Sequence, residues 1–241
     1  MRQVVRDVYV MEGLRRANVY LLRSGKGFAL VDSGWAGDLG RILAQFQEAG
    51  YALSELHSIV ITHWHGDHTG NAAELAQRSG AQIVAHRDEV PYLERTKPLP
   101  RGSPAKRLLN WLGDRTLLRR SPCKVDCQVQ DGDLIEALGR MQVIHTPGHT
   151  PGSICLYHPE RRILFCGDAL FNMHPITGRP GLGLHMRLVT LDNAQARDSV
   201  ARLSALPIQV LCCGHGEVIL DGAGERMRAL LGPALHLDAR Q

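Results

Sequence analysis

The chain has 241 residues, 44% hydrophobic and 22% charged, a composition that suits a soluble globular protein able to bury one large core. Only 5% of residues are aromatic, so base-stacking platforms for nucleic acid are not an obvious resource; no apolar run approaches the ~20 residues needed to cross a bilayer. The net charge of +4 is uneven: residues 91–124 hold nine basic side chains against Glu94 and Asp114, a balance of +7 that leaves −3 elsewhere.

"MRQVVRDVYV" at the N-terminus alternates apolar and polar residues like a strand and lacks a signal-peptide layout, so the cytoplasm is the expected compartment. Apolar, β-branched runs at 19–22, 28–34 and 58–62 predict further strands. Between them, residues 36–50 have helical spacing, with Leu39, Ile42, Leu43 and Phe46 on one face and Gly50 at the C-cap. A second helix is expected over 71–79, ending at Gly80, then a strand at 81–86. In the basic segment, residues 104–120 read as helical pieces broken near Gly113. Their apolar face, around Leu108, Leu109, Trp111 and Leu112, suits cleft cover better than a membrane surface. A second run of strands begins near Lys124 and includes 140–149, 153–158 and 161–168. Residues 178–184 read as a glycine-rich loop; Thr190 or Asp192 caps a helix that Pro207 stops; 208–216 is the last strand and 222–231 the last helix. The expectation is one domain over 1–241 with a basic helical lid inserted at about 91–124. Six cysteines in a chain of this size are expected to be free, with Cys155, Cys166 and Cys212 as small core residues and Cys123 and Cys127 as thiols rather than half a zinc site.

The chemistry concentrates where strands stop. "THWHGDHTG" (62–70) follows the apolar run "SIVIT" and places His63, His65, Asp67 and His68 on a turning loop. His149 lies in "HTPGHTPGS", Asp168 ends "RRILFCGD", and His215 ends "IQVLCCGHG". Each is a good metal ligand at a point where glycine lets the chain turn. His63, His65 and His149 offer three nitrogens, Asp67, His68 and His215 three more donors, and Asp168 can bridge with one oxygen on each of two ions. His57, His86, His158 and His236 read as incidental.

"THWHGDH", "HTPGHTPGS", "CGDALF" and "CGHGE" together resemble the metallo-β-lactamase-fold superfamily, over nearly the whole chain from "NVYLL" and "VDSG" onward. The resemblance implies an α+β fold, a four-layer αβ/βα sandwich of two mixed sheets with outer helices and metals along one sheet edge. It assigns His63, His65 and His149 to a first ion and Asp67, His68 and His215 to a second, with Asp168 bridging and Asp32 of "VDSG" orienting a ligand histidine. The implied cofactors are two divalent ions, zinc by preference, with iron, manganese or mixed occupancy as alternatives. The implied enzyme is a metal-dependent hydrolase. A zinc-acidified water attacks an ester, lactone, thioester, amide or phosphoester, and Asp67 orients it and carries its proton to the leaving group.

Zinc β-lactamases of the family usually lack the bridging aspartate, so Asp168 argues against antibiotic hydrolysis. No tyrosine follows Tyr157, which argues against acyl-homoserine lactonases. "HTPGHTPGS" and "GDALF" are most similar to glyoxalase II-like hydrolases, although only 26 residues follow His215, too few for their glutathione-binding extension. His174, Arg179 and His185, in the loop after Asp168, either touch substrate or belong to an ordinary surface loop. A mononuclear iron persulfide dioxygenase is the alternative, because His63, His149 and Asp168 also make a facial triad. A nucleic-acid binder has only the basic segment in its favour. The expected partner is a small-molecule substrate, with a homodimer left open.

Overall fold

Strand side chains alternate between faces, and in this molecule both faces of the main sheets are apolar. The computed structural model describes residues 1–25, 27–100 and 122–232. The helical pieces expected at 104–120, and His236, lie outside the described residues. One sheet has seven strands in sequence order: β1 (Arg2–Val5), β2 (Val8–Val10), β3 (Tyr20–Ser24), β4 (Gly27–Val31), β5 (Leu56–Ile61), β6 (Gln82–His86) and β7 (Cys127–Val129). It is mixed, antiparallel from β1 to β4 and parallel from β4 to β7. The other, in the order β14 (Val210–Cys213), β11 (Ile163–Gly167), β10 (Ile154–His158), β9 (Met141–His145) and β8 (Leu134–Ile135), is antiparallel except where β11 pairs β14.

Three apolar clusters make four layers. Tyr20, Leu22, Val60 and Val84 of the first sheet meet Val143, Leu156, Phe165 and Cys212 of the second between the sheets. The first sheet's outer face, with Leu21, Ile59 and Ile83, packs on Ile42 and Phe46 of the helix Leu39–Glu48 and Leu75 of the helix Ala72–Ser79. The second sheet's outer face, with Cys155, Leu164 and Cys213, packs on Val200 and Leu203 of the helix Asn193–Ser204 and Met227 of the helix Ala223–Leu231. Neighbouring Cys212 and Cys213 thus serve different cores, as strand alternation requires. All six cysteines are free; Cys123 is buried and Cys127 exposed. Gly50 and Gly80 follow their helices at φ +72° and +81°, the left-handed stop expected there.

The first strand after Lys124, β7, joins the first sheet beside β6. One expectation changes. Residues 178–184 are not simply loop: β13 (Pro180–Leu184) pairs antiparallel with β12 (Leu170–Met173) in a hairpin. Gly183 permits the pairing, because a Cβ there would lie 2.5 Å from the Phe171 ring it faces.

The site follows from one shared edge. Ile154 N donates to Thr62 O at 3.0 Å, stitching the second sheet to the end of β5. Gly214 N donates to Gly167 O at 2.8 Å, and Asn18 N to Gly214 O at 2.7 Å. The C-terminal ends of β5, β11 and β14 are therefore neighbours.

Candidate metal centre

His63 and His65 continue β5 beyond Thr62, and the helical turn Gly66–Thr69 then reverses the chain, with His68 N bonded back to His65 O at 3.0 Å. This turn sends Asp67 and His68 into a different group of donors from His63 and His65. His63, His65, His149 and Asp168 form one group, and Asp67, His68 and His215 the other, the donor atoms of each lying within 4.8 Å of one another.

In the first group, His65 Nδ1 lies 3.0 Å from both His63 Nε2 and His149 Nε2. Nitrogens bound tetrahedrally to one zinc at its usual bond length would lie about 3.3 Å apart, so this spacing fits a shared cation. Asp168 Oδ2 stands 3.6 Å from His149 Nε2 and 3.9 Å from His63 Nε2. In the second group, Asp168 Oδ1 stands 3.2 Å from His68 Nε2 and 3.4 Å from His215 Nε2, which is 3.6 Å from Asp67 Oδ2. His68 Nε2 and Asp168 Oδ1 are buried atoms that make no hydrogen bond of acceptable geometry. Orphaned polar atoms at this depth are costly, and a divalent cation within the second group would satisfy both. With the nitrogen spacing of the first group, the residues fit two ions.

Electrostatics agree. Burial, then the charges of His68 and His65, hold the His63 pKa well below the usual histidine value. Burial and His65 bring His149 down to about 3. Burial also opposes charge on His68 and His215, but Asp168, together with Asp32 at His68 and Asp67 at His215, outweighs it and raises both. Burial opposes charge on Asp168 as well, and His215 and His68 overcome it, holding its carboxyl well below the ordinary range. The second group thus favours protons where a cation would replace them, while His63 and His149 favour the neutral form that binds a metal.

Supporting residues fix the rings. Asp32 Oδ2 accepts from His68 Nδ1 at 2.7 Å and also takes Thr62 Oγ1, while Oδ1 takes Thr62 N at 2.8 Å. Asp32 sits at φ +60°, a left-handed turn that aspartate tolerates. His149 Nδ1 meets Thr190 Oγ1 at 2.9 Å, while Asp192, not Thr190, caps the helix Asn193–Ser204.

Sequence reasoning missed three contributors. Glu89, fully buried, takes Trp64 N at 2.7 Å, Gly152 N at 2.7 Å and Thr150 Oγ1 at 2.6 Å, clamping the two histidine-bearing loops. Burial pushes its pKa up to about 7, against the pull of those bonds. Gly214 leaves room for the ligands, since a Cβ there would lie 2.5 Å from Asp168 Oδ1 and 2.8 Å from His68 Cε1. Asn18 Nδ2 donates to Cys213 O at 3.0 Å and Gly216 O at 2.7 Å, bracketing His215. Asn18 and Gly214 lie inside the runs "NVYLL" and "CGHGE", which give no hint of these contacts, and an acid at a helix start carries no distinctive sequence signal.

The candidate substrate contacts diverge. His185 is buried and donates its backbone N to Ala169 O at 3.2 Å. His174 and His185 line a cavity of about 860 Å³ together with Phe171 and Met186. His174 Nδ1 accepts from Ile176 N and Thr177 N at 3.3 Å each, a turn-forming role. Arg179 lies at the exposed end of the hairpin, where its carbonyl accepts from His174 N. Among the described residues no helix is long and apolar enough to cross a membrane.

A family model described as the Metallo-beta-lactamase superfamily matches residues 13–215. The probable metallo-hydrolase YflN of Bacillus subtilis is 27% identical over 213 residues, 83% of this chain and 80% of that protein. A hydroxyacylglutathione hydrolase of Ectopseudomonas mendocina is 33% identical over 181 residues, 74% of this chain but 52% of that protein, so the chain spans about half the length of that relative. The solved structure of TTHA1623 in a di-iron-bound form superposes with a TM-score of 0.65 at 28% identity, covering 91% of this chain and 97% of that one.

Proposed function

The chain belongs to the metallo-beta-lactamase superfamily and is a metal-dependent hydrolase; from that premise we propose that it holds two divalent ions, zinc by preference, and cleaves an ester-like bond in a small molecule. The observation that carries this reading is Asp168, whose two oxygens face different donor groups, Oδ2 towards His63 and His149 and Oδ1 towards His68 and His215. His63, His65 and His149 would hold one ion and Asp67, His68 and His215 the other. When bound, the ions supply an acidified water of pKa ~7 and positive charge for the oxygen that gains charge in the transition state.

The chain's own residues do the rest. Asp32 and Thr190 hold the His68 and His149 rings in the orientation that turns Nε2 inward. Asp67 is the most exposed of the second group's donors, with a side-chain exposure of 15% against 4% for His215 and 0% for His68. This exposure supports a role for Asp67 in taking the attacking water's proton and passing it towards the leaving group. The 33% identity to a hydroxyacylglutathione hydrolase favours a thioester or a related ester among the possible substrates.

Elemental analysis of purified full chain, followed by turnover of lactones, aryl esters, thioesters and phosphoesters, tests the reading. About two ions per chain with ester or thioester turnover is expected. Asp67→Ala should lower turnover by roughly 10²–10⁴-fold while circular dichroism stays unchanged. One specific observation favours iron in the same donors, the di-iron form of TTHA1623. A single iron per chain with oxygen uptake on a persulfide would replace hydrolysis by oxygenation.

A further inference from the structure

A cleft of about 450 Å³ opens beside His215. Met173, Pro175 and Ile176 of the β12–β13 hairpin give it an apolar wall, with Ile176 64% exposed. Facing them are Arg15, Arg16 and Trp35. Trp35 is held in place, because its carbonyl accepts from Asn71 Nδ2 at 2.7 Å, and Asn71 follows directly on the histidine turn. The Arg16 guanidinium lies over the Trp35 ring, Cζ 5.0 Å from the centroid. A guanidinium stacked this way keeps its in-plane N–H donors free for a ligand.

Charge on this wall is only partly neutralised locally. Arg15 leans on buried Asp38, its backbone N 3.1 Å from Oδ2 and its Nε 4.0 Å from Oδ1. Asp38 also receives Arg41 at 3.3 Å, so one carboxylate serves two guanidinium groups. No ion pair to Arg16 occurs among the described residues, and no carboxylate lines the cleft.

Resting on the hydrolytic reading above, we propose that this cleft is a substrate subsite for an anionic group, a carboxylate or phosphate, held by Arg15 and Arg16. The apolar stem of the same substrate lies against Trp35, Met173 and Ile176, and its scissile bond reaches the donors at His215. The substrate class is therefore an ester or thioester that carries a negative charge remote from the bond it breaks.

The probes are three 4-nitrophenyl esters of equal acyl length, ending in a free carboxylate, a phosphate or a methyl ester, assayed with the full metal-loaded chain at low salt. Wild type should favour the anionic esters over the neutral one by about tenfold or more in kcat/KM. The preference should collapse towards one in Arg16→Met and in Arg15→Met/Arg16→Met, and Arg16→Lys should keep part of it; which anion gains more identifies the group. A wild-type ratio of one, or a preference that survives the double substitution, overturns the subsite. Protein fluorescence titration with glutaranilic acid and its neutral methyl ester separates this from failure of the hydrolytic reading. If no ester is turned over, tighter binding of the acid that is lost on Arg16→Met still upholds the anion site. Equal or absent binding removes it.

Discussion

His63, His65 and His149 form one cluster of imidazoles, and His86 and His145 another, each close enough to an aspartate to hold a metal by distance alone. His86 ends β6 and His145 ends β9, just as His63 follows the end of β5. Their geometry differs. In the first cluster the rings meet edge to face, at 75–86° between planes, and the nitrogen tips converge at 3.0 Å. In the second the rings stack at 12°, centroids 4.1 Å apart, so they offer faces to each other. Their nitrogens are also engaged by the protein: His86 Nδ1 accepts from Asp88 N at 3.2 Å, and His145 Nε2 meets Pro151 O at 2.8 Å. A ligand site needs lone pairs aimed at one empty point, and proximity alone does not supply that.

The strongest way to break the comparison is to remove the shared donor. Asp168→Ala should drop metal content below about one ion per chain and lower kcat/KM by roughly 10³-fold or more. Retention of two ions and of activity would show that the convergence has no chemical consequence. Gly214→Ala, which sets a methyl against Asp168 Oδ1 and His68, should cost about 10²-fold in kcat/KM through misplaced ligands; unchanged kinetics would mean the loop yields freely.

Glu89 offers a finer test, because it stabilises the first cluster without belonging to it. Glu89→Ala strands two buried N–H groups, so metal affinity should weaken about 10–100-fold alongside a lower Tm. Its raised pKa also has a sign. Between the ordinary glutamate value and about 7, the folded chain holds a proton that the unfolded chain has released. Stability of the metal-free protein from this group should therefore fall as pH rises through that window. Denaturant titrations across it should show that slope in wild type and lose it in Glu89→Gln; equal slopes would rule the titration out. The smallest effect belongs to the second cluster. His86→Ala and His145→Ala should leave metal content intact and kcat/KM within about threefold, because neither ring belongs to the two donor groups of the candidate centre. Loss of an ion in either would erase the distinction drawn between the clusters.

Much of the frame was legible because it is local. Short apolar runs marked β3–β6 and β9–β11, Gly50 and Gly80 marked helix ends, and polar residues at strand ends marked the seven candidate donors that the structure gathers into two groups. The hairpin of β12 and β13 was missed because its glycines look like loop until Phe171 is seen to need the space. Glu89 was missed because its partners lie at 64, 150 and 152, far off in sequence. The subsite arginines escaped notice too, since a pair of charges in a short loop reads as solvated surface.

The amino-acid order by itself determined which residues could ligate and where the chain could turn, because ligand chemistry and backbone preference belong to single residues and their near neighbours. Folding alone decided which donors face one another, which histidine pair merely stacks, and which buried carboxylate clamps the loops. Those outcomes depend on the directions of lone pairs and on hydrogen bonds made across the two sheets, and neither exists until the sheets have packed.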